Sequence, residues 1–212
     1  MPETIAGVAI PQTPTVAEAT RFVQERTNPL LFDHSRRVFL FGSLRARELG
    51  IEPNPELLYI ASLFHDTGLL TPYSDVQQRF EVDGADHARA FLEERGFSAH
   101  DAEVVWNAIA LHTTPGIPTR MGPEIAATNL GVLTDAVGLG LERIDPRLVE
   151  EITAAHPRGD FKNEFLKTFH DGLKDRPDTT YGTVNADVLE HFVPDFRRGS
   201  MVERITNSPW SA

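Results

Sequence analysis

Three observations predict an all-α protein, a helical bundle. Apolar residues recur at spacings of three and four through most of the chain. Asn-Pro and Asp-Pro pairs, which read as an N-cap followed by proline at the first helical position, precede several of these runs. No stretch shows sustained two-residue alternation between hairpin turns.

Residues 1–14 hold three prolines and little periodicity, and are expected to form a flexible N-terminal arm, leaving 15–212 as a single helical domain. Thr15 to Arg26 reads as a short helix. Asn28-Pro29 opens the next, on which Leu31, His34, Val38, Phe41 and Leu44 share an apolar stripe. His34 therefore faces inward, whereas Arg36, Arg37, Arg45, Arg47 and Glu48 read as the solvated side. Asn54-Pro55 repeats the start signal for a helix with Leu58, Ala61 and His65 on one line and Leu57 and Phe64 beside it. This run ends in Leu63-Phe64-His65-Asp66-Thr67-Gly68, with Gly68 as its expected stop.

Thr71-Pro72 begins a short element ending near Arg79. Asp83 is the expected cap of a helix from Gly84 to Arg95, which Gly96 stops. Ser98 with Asp101 resembles a capping box for a helix from Ala99 to His112, placing Val105, Ile109 and His112 on one face. Pro115 to Pro118 is a loop. Pro123 begins a helix with Ala127, Leu130 and Val137 on its apolar line and Asp135 near its end. Asp145-Pro146 opens another, and residues 160–175 and 184–206 add two or three more around the turn-rich stretch Arg176 to Thr183.

Composition narrows the chemistry. With 212 residues and 41% hydrophobic content, one domain with a substantial core is the simpler reading. The absence of cysteine excludes disulfides, thiolate metal sites and thiol catalysis, so any metal is held by His, Asp or Glu. A formal charge of -11, with 31 acidic against 20 basic residues and no basic patch, argues against nucleic acid and anionic membranes as partners. The first basic residue is Arg21, and no apolar run approaches the ~18 residues of a membrane span. The expectation is a soluble cytoplasmic protein acting on a small molecule, with a homo-oligomer left open.

His34, the His65-Asp66 pair and Asp135 fall on the inward side of three helices. A buried carboxylate needs a partner, because its desolvation costs several kcal/mol. Two neutral imidazoles and two carboxylates carry the negative charge that one divalent cation balances. Nitrogen and oxygen donors without sulfur suit Zn, Fe, Mn or Ni. The same residues also fit hydrogen-bonded core histidines and capping aspartates, and spacing alone does not separate the two.

The order His34, then His65-Asp66, then Asp135 resembles the H…HD…D signature of the HD-domain superfamily of metal-dependent hydrolases, over roughly Pro29 to Gly140. His34-Ser35-Arg36-Arg37-Val38, Phe80-Glu81 ahead of Gly84-Ala85, and Thr134-Asp135-Ala136-Val137-Gly138 are similar to its cyanamide hydratase-like branch. The resemblance implies an HD-type bundle around one divalent metal, Zn or Fe foremost and Mn or Ni as alternatives. His34, His65, Asp66 and Asp135 would be its ligands. Some HD enzymes hold two metals with the help of two further histidines. His87 and His112 lie in the right interval, but His87 follows Gly84 instead of preceding it, which favours one metal.

The chemistry implied is activation of water for hydration or hydrolysis of a small polar molecule, with Asp66, His112 and Glu81 as candidate catalytic groups. His112 shares a face with Ile109 and precedes the Thr113-Thr114-Pro115-Gly116 loop, so it is a candidate for moving protons; capping its own helix is the equal alternative. Glu81, between Phe80 and the Gly84-Ala85 turn, suits a substrate-facing carboxylate. Phe80, Thr113 and Thr114 are the expected substrate-binding residues. An HD-type phosphohydrolase acting on a nucleotide or other phosphate ester is the second reading. It needs cationic clamps, and no Lys follows the HD pair in Thr67-Gly68-Leu69-Leu70. A non-catalytic regulatory module is the third.

Overall fold

Polar caps and prolines set most helix starts. The computed structural model describes residues 3–73 and 77–210. Its helices are α1 (Pro14–Gln24), α2 (Pro29–Leu49), α3 (Pro55–Phe64), α4 (Thr67–Leu70), α5 (Phe80–Glu93), α6 (Ala99–Ala110), α7 (Pro123–Val137), α8 (Pro146–Ala155), α9 (Phe161–Leu173), α10 (Asn185–Phe192) and α11 (Met201–Thr206). The side chain of Asn28 accepts from the Leu31 N–H at 2.9 Å, and that of Asn54 from the Glu56 N–H at 2.9 Å. Ser98 accepts from the Asp101 N–H at 3.0 Å. Each satisfies a donor that the first helical turn leaves unpaired. Gly138, with φ of 75°, closes α7.

The bundle is built around α3, which is buried from Leu57 to Phe64. A helix enclosed on every side delivers whatever follows its last turn into the interior. Here that is His65-Asp66. Helices α2 and α7 pack closely across it, and a Cβ at Gly131 would lie 2.1 Å from the Val38 carbonyl oxygen. That approach brings His34 on α2 and Asp135 on α7 together. A second, smaller apolar cluster of Leu69, Phe80, Phe169, Leu173 and Leu189 joins α9 and α10 to α4 and α5.

Several expectations are corrected. The N-terminal arm is folded over residues 3–10: Thr4–Ile5 and Val8–Ala9 form a two-stranded antiparallel hairpin. Ile5, Ala6, Val8 and Ile10 are buried, and the Ala6 N–H donates to Glu151 at 2.7 Å, so four apolar side chains outweigh the prolines. Gly68 does not stop a helix. It lies inside α4, where a Cβ would meet the Phe80 carbonyl oxygen at 2.1 Å, so the glycine permits α5 to press on the HD turn. The short element expected after Thr71-Pro72 is irregular at residues 71–73 and 77–79, and Ser74, Asp75 and Val76 lie outside the described residues. Helix α5 starts at Phe80, earlier than expected, and Asp83 sits within it, buried against Arg176. The supposed solvated side of α2 is largely interior: Arg36, Arg37 and Arg45 are all buried. Among the described residues no helix is long and apolar enough to cross a membrane.

Candidate metal centre

Each imidazole at the centre has one nitrogen committed to a group that can only accept. His65 Nδ1–H donates to the Ser62 carbonyl at 2.7 Å, His34 Nδ1–H to Asp135 Oδ2 at 2.6 Å, and His112 Nδ1–H to the Ile109 carbonyl at 2.6 Å. In the neutral ring the remaining nitrogen, Nε2, then carries a lone pair. These lone pairs converge. The Nε2 atoms of His34 and His65 are 3.2 Å apart. Asp66 Oδ2 lies 3.2 Å from His65 Nε2 and 3.6 Å from His34 Nε2, and Asp66 Oδ1 lies 3.5 Å from His112 Nε2.

The result is a buried knot of acceptors. Among the described residues neither carboxylate oxygen of Asp66 receives a hydrogen bond, and His34, His65 and Asp66 each offer an atom within 4.8 Å of the others. An ionised carboxylate without donors inside a protein is costly, and only a proton or a cation placed among these atoms relieves it. The residues therefore fit a divalent metal. Burial favours the neutral Asp66, but the positive charge that His65 carries when protonated outweighs it and holds the carboxyl well below the usual carboxylate range. Burial likewise opposes charge on His65, yet the Asp66 carboxylate overcomes it and raises the imidazole's pKa. A proton on His65 and a metal thus compete for one position.

A family model for the HD domain matches residues 31–182 of the chain. It is an HD domain protein. HD domains are commonly metal-dependent hydrolases, and this site has donors of the right kind for such a metal. Among curated proteins, none matches the chain significantly.

In this HD domain protein the expected fourth ligand, Asp135, stands apart from the cluster. Its carboxylate is turned to the far nitrogen of His34 and is fully occupied there. Oδ1 accepts from Arg37 Nε at 2.8 Å and from Arg158 Nη1, while Oδ2 accepts from His34 Nδ1 and from Arg37 Nη2 at 3.0 Å. Burial favours its neutral form, but the His34 and Arg37 bonds outweigh that and keep it ionised. With these donors in place, Asp135 orients His34 from behind, as carboxylates behind metal-bound histidines do.

The other candidates divide. His112 is brought to the centre, its peptide carbonyl accepting from Asn129 Nδ2 at 2.9 Å, so the turn that carries it is fixed. Phe80 is fully buried; its ring packs edge-on against His112, centroids 5.6 Å apart. Glu81 is equally enclosed, and its oxygens accept from Arg79 at 2.8 Å, from Asn185 at 2.9 Å and from the Thr113 hydroxyl. It ties three segments together. Thr113 and Thr114 line a cavity of about 530 Å³ shared with Arg79, Tyr181 and Arg198. His87 is directed at the Thr71 carbonyl at 3.0 Å, away from the centre.

Arg37 and Arg158 were not among the expected site residues. A signal for Arg37 exists: it lies three residues after His34, hence on the same helical stripe. Arg158, in the connection between α8 and α9, and Asn185, at the start of α10, reach the site through contacts that no local pattern announces.

Proposed function

We propose that this HD domain protein is a metal-dependent hydrolase or hydro-lyase that adds water to a small, weakly charged molecule. The observation that carries it is the Asp66 carboxylate, surrounded by imidazole nitrogens and given no donor among the described residues. His34, His65 and Asp66 would hold one divalent metal, Zn or Fe foremost, and Asp135 would hold His34 in its metal-ready tautomer. The metal would supply Lewis-acid activation of water, whose pKa such ions lower from about 15.7 to about 7.

The protein's own groups supply the rest. His112 Nε2 points at Asp66 Oδ1 with its ring fixed by Ile109 and Phe80, so it is placed to take and return a proton beside the reacting atoms. Thr113 and Thr114 line the adjoining cavity, the Thr113 hydroxyl being held by Glu81. Its two arginines are both engaged by acids, Arg79 by Glu81 and Arg198 by Asp187. With both guanidiniums neutralised, the cavity suits a polar molecule of low charge, such as cyanamide.

A phosphate ester is the second reading, favoured by the presence of those same two arginines in the cavity wall. Urea formation from cyanamide, set beside phosphate release from a nucleotide panel, separates the two. Protein purified without added metal should contain close to one divalent ion per chain. His65→Ala should lose both the ion and the activity; full activity in that variant would overturn the proposal.

A further inference from the structure

A second cavity lies against the other face of Asp135. Phe161 and Phe165 of α9 pack on His34, with ring centroids 5.2 and 4.9 Å away. Beside them is a space of about 590 Å³ between α7, α8 and α9, within the range of small-molecule sites. Phe41, Val137, Leu141, Val149, Phe165 and Leu166 make its lining mostly apolar. Val137 and Leu166 are exposed, so the apolar surface continues to the mouth.

The charged side chains in this wall are Asp135, Arg158 and Lys162. Asp135 is already shared between two guanidiniums, those of Arg37 and Arg158. One acid against two arginines leaves the polar end of the cavity with surplus positive charge, and Lys162 adds to it. Arg158 spends only Nη1 on Asp135. Among the described residues its Nε and Nη2 have no hydrogen-bond partner, and Lys162 has no ion-pair partner. An apolar chamber with an unfilled guanidinium edge and an ammonium at its rim is complementary to one kind of small molecule.

We propose that this cavity binds an amphipathic carboxylate, its alkyl part between α7, α8 and α9 and its carboxylate on Arg158 and Lys162. The site is separate from the polar cavity beside Thr113, and the proposal stands whether or not the chain catalyses hydration.

Calorimetric titration of the full chain with octanoate, hexanoate and octanol tests it. Octanoate is expected to bind one molecule per chain. It should bind roughly fifteenfold tighter than hexanoate, since each buried methylene strengthens binding about fourfold, and roughly tenfold tighter than octanol, which cannot engage the two cations. Val149→Trp fills the chamber and should weaken octanoate binding at least about tenfold. Arg158→Gln should abolish the preference for octanoate over octanol. If Val149→Trp fails to fold, the exposed Lys162→Gln substitution should narrow that preference several-fold. No binding by octanoate, equal binding of octanoate and octanol, or unchanged binding in Val149→Trp would each overturn the proposal.

Discussion

Asp66 and Asp135 flank the same imidazole, one beside Nε2 of His34 and the other on its Nδ1, and both lie inside the bundle. Among the described residues the Asp66 carboxylate receives no hydrogen bond, whereas that of Asp135 receives four from three side chains. The two carboxylates have the same chemistry and nearly the same burial. What differs is whether the fold itself supplies the positive charge. Around Asp135 it supplies Arg37 and Arg158. Around Asp66 the described residues supply no such partner, so the charge comes from a cation or from a proton on His65. A metal centre is thus marked less by its acids than by the missing donors around one of them.

That contrast can be broken by substitution. Asp135→Asn should be the most damaging change, costing about 3–5 kcal/mol, because it leaves the fully buried Arg37 without its counter-charge. Urea unfolding of the metal-free protein measures it, and a loss under about 1 kcal/mol would show that the clamp matters little. Metal itself should act next. A divalent ion at about a hundred times its dissociation constant stabilises the protein by about 2.7 kcal/mol in the wild type. The same addition should give no shift of the melting temperature in Asp66→Asn.

The metal-free Asp66→Asn protein should stay within about 1 kcal/mol of wild type, because an amide N–H can donate to the imidazole lone pairs that the carboxylate only repels. A large destabilisation there would mean that Asp66 is already paired with a protonated His65 and is less dependent on a cation. The smallest expected effect is on acid stability. Asp135 and Glu81 both have depressed pKa values: burial opposes this, but the His34 and Arg37 bonds hold Asp135 ionised, and the Arg79 bond holds Glu81 ionised. Their contribution is complete above the ordinary carboxylate pKa of about 4 and is lost as pH falls through their folded values. Asp135→Asn should accordingly show a shallower loss of stability below about pH 4 than wild type, read from thermal melts.

Much of the site was legible because helices repeat. His34 lies on the stripe of Leu31, Val38 and Phe41, and His65 follows a run with no polar face, so both had to point inward. The same rule, applied more strictly, exposes the error over the arginines. Arg37 and Arg45 fall three and eleven residues after His34, on the stripe itself, and only their charge made them look solvated. Asp83 misled in the same way, read as a cap when it is a buried partner of Arg176. The hairpin at Thr4–Ala9 was missed because strands of two residues are too short to show alternation.

The sequence by itself determined most of the helices, most of their starts and the inward direction of two histidines and the aspartate beside them, because caps, prolines and apolar spacing act within a few residues of chain. Which acid keeps its lone pairs free was decided only by the tertiary structure. Arg37 is 98 residues from Asp135 along the chain, and Asn185 is 104 from Glu81. Hydrogen bonding and charge compensation depend on distance in space, and the close approach of α2 to α7, with the return of the C-terminal helices over the site, is what brings those donors within reach.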